Sequence, residues 1–183
     1  MSRKYDGRRF KELVLYLVAK GEDDPTLGAV KLNKLLYYAD RRAYLELGRS
    51  ISGARYIHLD EGPAPAALVP ARRELIDEGG VEPEVRWYVS HPQERLKAKR
   101  DPDISMFTGA EMRIVDEVIR DLRDMNAVDV SRLSHREWGW RLTSPGEDIP
   151  ERTAWLSPEP LTVAQVEAGR QLWSEWLVAR PEV

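Results

Sequence analysis

The stretch Lys31–Asp40, which reads KLNKLLYYAD, constrains the fold of this chain more than any other segment. Its apolar residues recur at steps of three and four positions, as on one face of a helix. That face carries Leu32, Leu35, Leu36, Ala39 and Ala43. The basic residues fall mostly away from it, so the spacing predicts an amphipathic helix at the centre of the core. The adjacent tyrosines Tyr37 and Tyr38 cannot both point into that core, so at least one hydroxyl is expected to reach a partner or water.

Further helices are predicted on both sides of this signature helix. Asp6 is a cap for a first helix and Thr26 for the signature helix, which Gly48 is expected to end in the left-handed conformation. Pro65 suits the first position of a third helix. Because Pro70 lies inside that third pattern and lacks a backbone N–H, a bend or a late start is expected there.

The last third of the chain also has helical patterns. Thr108 with Glu111 forms a capping box, in which side chain and backbone bond each other at the start of a helix. Asp129 or Ser131 is expected to open a short helix that ends near His135.

A final helix is predicted over about residues 162–180, opened by a second capping box, Thr162 with Gln165. Its apolar stripe is expected to pack against the core. The stripe carries Val166, Leu172, Trp173 and Trp176.

Two segments between these helices have the pattern of strands. Residues 55–59 alternate weakly, and Val85, Trp87 and Val89 alternate with polar neighbours. Residues 94–100 are expected to return as a second strand beside them. The predicted fold class is α+β and predominantly α-helical, a helical bundle with a small antiparallel sheet or hairpin. We expect one domain over residues 1–183, with a core at about 8–156.

The composition excludes several classes of function. The 183 residues are 42% hydrophobic and 32% charged, which is typical of a globular chain. A net charge of −3 gives no general attraction to nucleic acid, and the absence of cysteine excludes disulfides and thiolate chemistry. No apolar run approaches the roughly 20 residues that span a bilayer, and the N-terminus lacks a signal-peptide core, so a cytoplasmic location is expected.

The sequence contains no assembled catalytic motif. The three histidines lie in separate segments, without a zinc-binding pair, and no phosphate-binding glycine loop is present. Asp60 and Glu61 are adjacent and so poorly placed for joint acid–base work. Ser134 and His135 are neighbours on a short helix and point in different directions; His135 is expected to bond a backbone carbonyl. We therefore predict no catalytic residue, no cofactor and no metal.

Other conspicuous side chains have simple structural interpretations. Trp138 and Trp140 are expected to pack against the core. The basic run at residues 95–100 would place Arg95, Lys97 and Lys99 on one strand face. A charged edge strand that discourages aggregation explains this run more simply than a nucleic-acid site, and an acidic protein partner is the alternative.

The signature helix, the later Gly62-Pro63-Ala64-Pro65 segment and the late Leu133-Ser134-His135 with Trp140 occur in a fixed order. Together they resemble the Panacea antitoxin domain family of bacterial and phage-associated proteins, over about residues 8–156. The resemblance implies that the protein neutralises a toxin encoded by an adjacent gene, usually by forming a direct complex. Family members are paired with unrelated toxins, including enzymes similar to alarmone synthetases.

The partner-binding surface is predicted on the signature helix and on the turn that follows the first strand. Aromatic and arginine side chains are frequent interface anchors, and a turn stiffened by proline loses little entropy on binding. The candidate residues are Lys31, Lys34, Tyr38, Arg41, Asp60, Glu61, Gly62 and Pro63. Two alternatives remain open: a nucleic-acid-binding regulator, and an adaptor that delivers a toxin to a protease, as in one branch of the family.

Overall fold

The computed structural model describes residues 3–89, 91–156 and 162–179. In these ranges it has the predicted α+β fold, dominated by helices. The helices are α1 (Gly7–Lys20), α2 (Ala29–Leu47), α3 (Leu68–Asp77), α4 (Gly109–Asp121), α5 (Ala127–Ser134), α6 (Trp138–Arg141) and α7 (Val163–Ala179). The strands are β1 (Tyr56–Leu59), β2 (Gly62–Pro65), β3 (Val81–Tyr88), β4 (His91–Ala98) and β5 (Asp148–Ile149). Short 3-10 turns occupy Ile104–Met106 and Glu151–Trp155.

Helix α2 lies at the centre of the core, as its apolar spacing predicts. It packs against α1, α4, α5 and β2. The five residues of the predicted apolar face of α2 are all buried, and buried residues of α1 and α4 belong to the same core cluster. The α2 residues are Leu32, Leu35, Leu36, Ala39 and Ala43.

The predicted caps of α1 and α4 are confirmed. The Asp6 carboxylate accepts hydrogen bonds from two backbone N–H groups of the first turn of α1. Thr108 and Glu111 form the complete capping box at the start of α4. Gly48 ends α2 with a φ of 72°, in the left-handed region where glycine carries no side-chain penalty.

Two helix starts differ from the prediction. Helix α2 begins after Gly28, whereas the predicted cap, Thr26, lies in the preceding loop with its hydroxyl directed at Lys31. Helix α5 is capped by Asn126, whose side chain accepts from two backbone N–H groups, so neither Asp129 nor Ser131 opens it.

The prediction for α3 is half right. Pro65 belongs to β2, so it does not begin the helix. The late start is confirmed, since α3 begins at Leu68 and Pro70 falls in the first turn. The missing N–H of Pro70 removes no helical hydrogen bond there, because first-turn N–H groups have no intrahelical partner.

The strands form two small antiparallel sheets. In the first, β1 lies between β2 and β5, with Leu59 opposite Gly62 and Tyr56 opposite Ile149. In the second, β3 and β4 form a hairpin in which Val81 pairs with Ala98. The hairpin therefore returns three residues earlier than the predicted residues 94–100.

The apolar residues of the hairpin face solvent toward its tip. Val85 and Trp87 lie in β3 as predicted, but they are 63% and 73% exposed. Val89 lies just beyond the strand with a φ of 57°, an uncommon conformation for a β-branched residue. On β4, Arg95 is buried and donates to the carbonyl oxygens of Gly21 and Glu22, so the predicted basic stripe is not formed.

Helix α7 confirms the predicted final helix but not its predicted packing. Leu172 and Trp173 are 66% and 60% exposed, whereas Val166 is half-buried. The side chains of Gln165 and Trp176 lie outside the described residues, so the second capping box and that end of the stripe stay predictions.

Candidate partner-binding site

The signature helix α2 carries lysines that are buried, which corrects the prediction that they lie on its exposed side. Lys31 and Lys34 are each only 1% exposed. A buried ammonium group needs hydrogen-bond acceptors to offset the loss of water, and the two lysines find theirs in separate parts of the chain.

Lys31 joins two loops at the start of α2. Its Nζ lies 2.7 Å from Asp24 Oδ2 and donates to Thr26 Oγ1 at 2.6 Å. It also donates to the carbonyl oxygen of Arg123, in the α4–α5 loop, at 2.8 Å. Lys31 thus fastens the entry to α2 to the end of α4.

Lys34 supports the turn that contains the Gly-Pro pair. Its Nζ donates to the carbonyl oxygen of Pro63 at 2.9 Å. Burial lowers the pKa of Lys34 to about 8, and the carboxylate of Glu61 opposes that shift. Gly62 and Pro63 are themselves buried, so the prediction that they form an exposed loop is also wrong.

Gly62 is required by the close approach of this turn to α2 and α5. Its φ is 96°, and a Cβ there would lie 2.2 Å from Ser134 Oγ and 2.8 Å from Lys34 Nζ. The Gly-Pro pair and the Leu-Ser-His segment are therefore parts of one packed contact.

Asp40 plays the corresponding role at the other end of the signature. Its carboxylate accepts from the backbone N–H groups of Ile51 and Ser52 and from the Tyr56 hydroxyl, each at 2.8 Å, and from the Ser52 hydroxyl. Burial raises the pKa of Asp40, and these four donors oppose the shift. The signature residues Lys31, Lys34 and Asp40 consequently hold loops to α2.

Tyr38 and Arg41, in contrast, line a groove between α2, α4 and α5. The groove has a volume of about 310 Å³. Arg41 pairs with the buried carboxylate of Glu137 at 2.8 Å, and Arg42 pairs with Asp121 at 2.7 Å. Tyr38 Oη and Arg41 Nε have no hydrogen-bond partner among the described residues.

Glu137 is not among the residues that the sequence predicted for the partner-binding surface. Burial raises its pKa, and the guanidinium groups of Arg41 and Arg136 oppose that shift. Arg42 and Leu45 were also missed in this groove. The signal for these two was present, because positions 38, 41, 42 and 45 follow the helical spacing that places them on one face.

Asp60 and Glu61 form the exposed turn between β1 and β2. The Glu61 backbone is fixed, since its carbonyl oxygen accepts from Ser131 Oγ of α5 at 2.6 Å. Helix α5 thus contacts both predicted regions: Ser131 holds the turn, and Leu133 lines the groove.

The turn is fastened to α6 through a stack of three rings. Trp140 lies between His58, at a centroid distance of 4.4 Å, and His135, at 4.1 Å. Its Nε1 donates to the carbonyl oxygen of Leu59 at 3.0 Å. The predicted packing of Trp140 is confirmed; His135 packs by stacking, and its Nε2 has no partner among the described residues.

Ser134 and His135 do not form a catalytic pair in this arrangement. Ser134 is completely buried and donates to the carbonyl oxygen of Ser131 at 2.8 Å. The described residues contain no group of three or more side chains placed to bind a metal ion.

Comparison with known proteins assigns this scaffold. A family model described as "Antitoxin SocA-like, Panacea domain" matches residues 32–141, which is more than half of the chain. The chain belongs to the Panacea antitoxin family. The matched range begins in α2 and ends with α6, so it contains the contacts of Lys34, of the Gly-Pro pair and of Trp140, whereas Lys31 lies one residue before it. No curated protein and no solved structure matches the chain.

The Panacea assignment supports a role in toxin–antitoxin pairs and favours a non-enzymatic one. None of the helices in the described ranges is long and apolar enough to cross a membrane. The matched range stops before α7, so that helix lies outside the matched region.

Proposed function

We propose that this Panacea protein neutralises a cognate protein toxin, encoded by an adjacent gene, through a direct stoichiometric complex without catalytic turnover in the cytoplasm. The observation that carries the proposal is the family match over residues 32–141. The buried contacts of Lys31, Lys34 and Asp40 add support, because they account for the polar signature residues as parts of a rigid scaffold.

The burial of the eight candidate residues separates them into two groups. Asp60, Glu61, Tyr38 and Arg41 retain exposure that a partner would use. The other four residues are buried. Lys34, Gly62 and Pro63 would act by holding the turn in place, and Lys31 by fastening the start of α2 to the α4–α5 loop. A pre-formed turn binds with a smaller entropy cost than a flexible one.

Asp60 offers a clean test of the exposed turn. We expect Asp60→Lys to leave the fold intact, because the carboxylate is exposed, and to weaken binding to the product of the adjacent gene. Asp77→Lys, at the exposed end of α3, is the matched control with the same charge change. Both variants are co-expressed with the adjacent gene, and growth rescue is compared with that by the unaltered protein.

The proposed function predicts that the unaltered protein restores growth and that the Asp77→Lys control does so equally well. If the adjacent gene is not toxic, or the unaltered protein does not bind its product, the proposed function is wrong. If rescue requires a cellular protease, direct blocking is wrong and an adaptor role replaces it.

A further inference from the structure

The groove between α2, α4 and α5 has the character of a binding site for an amphipathic segment. Its volume of about 310 Å³ is at the lower limit for small-molecule sites, which enclose about 300–1,000 Å³. Four of its lining residues lie on one face of α2. The lining residues are Tyr38, Arg41, Arg42, Leu45, Val118, Asp121, Leu122, Met125 and Leu133.

The floor of the groove is apolar. Val118 and Leu122 are buried, whereas Leu45, Met125 and Leu133 are only half-buried and keep apolar surface in contact with water. Methionine adapts its shape to different neighbours, which suits a surface that receives another side chain. This floor favours apolar side chains over a phosphate backbone.

The walls of the groove offer more hydrogen-bond donors than acceptors. Arg42 is occupied by Asp121, which is the only carboxylate of the described lining. Arg41 uses its Nη2 on Glu137 and on the carbonyl oxygen of Ala154, and its Nε has no partner among the described residues. Tyr38 Oη also has none in the described ranges, although almost every buried polar atom in a folded protein has a partner.

Both unpaired atoms are themselves buried, although their side chains as a whole are partly exposed. A contact between these atoms and a bound segment therefore requires a change of rotamer on binding. A carboxylate is the complementary group, because it accepts two such hydrogen bonds and opposes the charge of the guanidinium.

We propose that the groove receives a short amphipathic segment of the toxin, in which an aspartate or glutamate is flanked by apolar side chains. The carboxylate accepts from Tyr38 and Arg41, and the apolar side chains pack on Leu45, Met125 and Leu133. This inference rests on the proposed function, since it names the chemistry of the partner that the antitoxin binds.

Tyr38→Phe is the sharpest test, because it removes only the unpaired hydroxyl. In the free protein that hydroxyl bonds none of the described residues, so the melting temperature is expected to stay equal or to rise. In the complex the same change removes a hydrogen bond to a charged group, and the Kd for the purified product of the adjacent gene is expected to rise about tenfold or more. Tyr44→Phe, six residues further along α2, is the matched control and should leave that Kd unchanged.

Met125→Glu is the second variant, since it places a negative charge on the apolar floor. We expect it to weaken binding by at least about tenfold through repulsion of the partner carboxylate. Val128→Glu adds the same charge at an exposed position near the start of α5 and serves as its control. Circular dichroism of each variant establishes that it is folded before its Kd is measured by calorimetry.

The outcomes separate this inference from the proposed function. If Tyr38→Phe and Met125→Glu bind as the unaltered protein does while Asp60→Lys does not, the groove is wrong and the antitoxin function stands. If Tyr38→Phe binds normally while Met125→Glu does not, the proposal that the partner supplies a carboxylate is wrong. If the unaltered protein does not bind the toxin, both proposals fail. Loss of binding to promoter DNA in the groove variants, with toxin binding retained, would overturn the inference in favour of nucleic acid.

Discussion

Gly62→Ala tests the packed contact between the β1–β2 turn, α2 and α5. A left-handed backbone costs a residue with a Cβ about 1–2 kcal/mol, and Gly62 has a φ of 96°. The new Cβ would also meet Ser134 Oγ at 2.2 Å and Lys34 Nζ at 2.8 Å. Overpacking of this kind typically costs about 1–3 kcal/mol. We therefore expect Gly62→Ala to lower the free energy of unfolding by about 2–5 kcal/mol.

A second substitution divides this cost into its two parts. Ser134→Ala removes the nearer clashing atom and alone should cost about 1 kcal/mol, for the lost hydrogen bond to the Ser131 carbonyl oxygen. In the double variant the clash with Oγ is absent but the backbone strain remains. The double variant should therefore be less destabilised than the sum of the single variants, by about 1 kcal/mol or more.

Urea denaturation of the four proteins, followed by tryptophan fluorescence and by circular dichroism, measures these free energies. The reasoning is refuted if Gly62→Ala loses less than about 1 kcal/mol, since strain alone should exceed that. Strict additivity of the two substitutions would also refute it, because residues that clash must couple.

Three further predictions address the core, the buried lysine and metal binding. Leu35→Ala should cost about 2–5 kcal/mol in a chemical melt, and a loss under about 1 kcal/mol would mean that this face is not core. The pKa of Lys34 is about 8 in the folded protein, below its value of 10.5 in water, so the unfolded state binds more protons. The free energy of unfolding should therefore rise by about 2 kcal/mol from pH 7.5 to 9.5. Lys34→Met should abolish that rise, and an unchanged pH profile would contradict it. Elemental analysis should find no stoichiometric transition metal in protein purified without a chelator, and a retained metal would overturn this expectation.

The helices could be predicted from the sequence because their apolar residues repeat. The period of α2 identified its spaced apolar residues, such as Leu32 and Ala39, as core. Local capping chemistry identified Asp6 and Thr108 as helix caps. Such signals depend only on neighbouring residues. The helix starts predicted at Thr26 and Pro65 were wrong for the same reason. Each residue suits a helix start locally, but its actual role is set by a distant contact.

The buried polar contacts could not be predicted, because each joins segments that are distant in the sequence. Lys31 and Lys34 lie off the apolar face of α2, which normally indicates exposure. In the folded chain, however, the surrounding loops cover this side of the helix and supply carbonyl oxygens as acceptors. The exposed Trp87 shows the converse: its alternation predicts a strand, but the period alone does not say which face has a neighbour.

The candidate site was predicted in part. Tyr38 and Arg41 were identified by residue type, and the same helical face also contains Arg42 and Leu45. Met125 carried no signal, and Leu133 was identified only as part of the Leu-Ser-His segment, since only the packing of α4 and α5 brings these two residues to the groove. Whether these residues contact a toxin stays a prediction.

Titration of the toxin with purified antitoxin tests the central claim most directly. The activity of the adjacent gene's product is measured in a reconstituted system without proteases, and the mass of the mixture is measured by light scattering. The account predicts that inhibition of the toxin is complete at one stoichiometric equivalent and that a single complex contains both chains. Dissociation of the complex should restore the activity of the toxin. Inhibition by a small fraction of an equivalent, or inhibition without a complex, would contradict it.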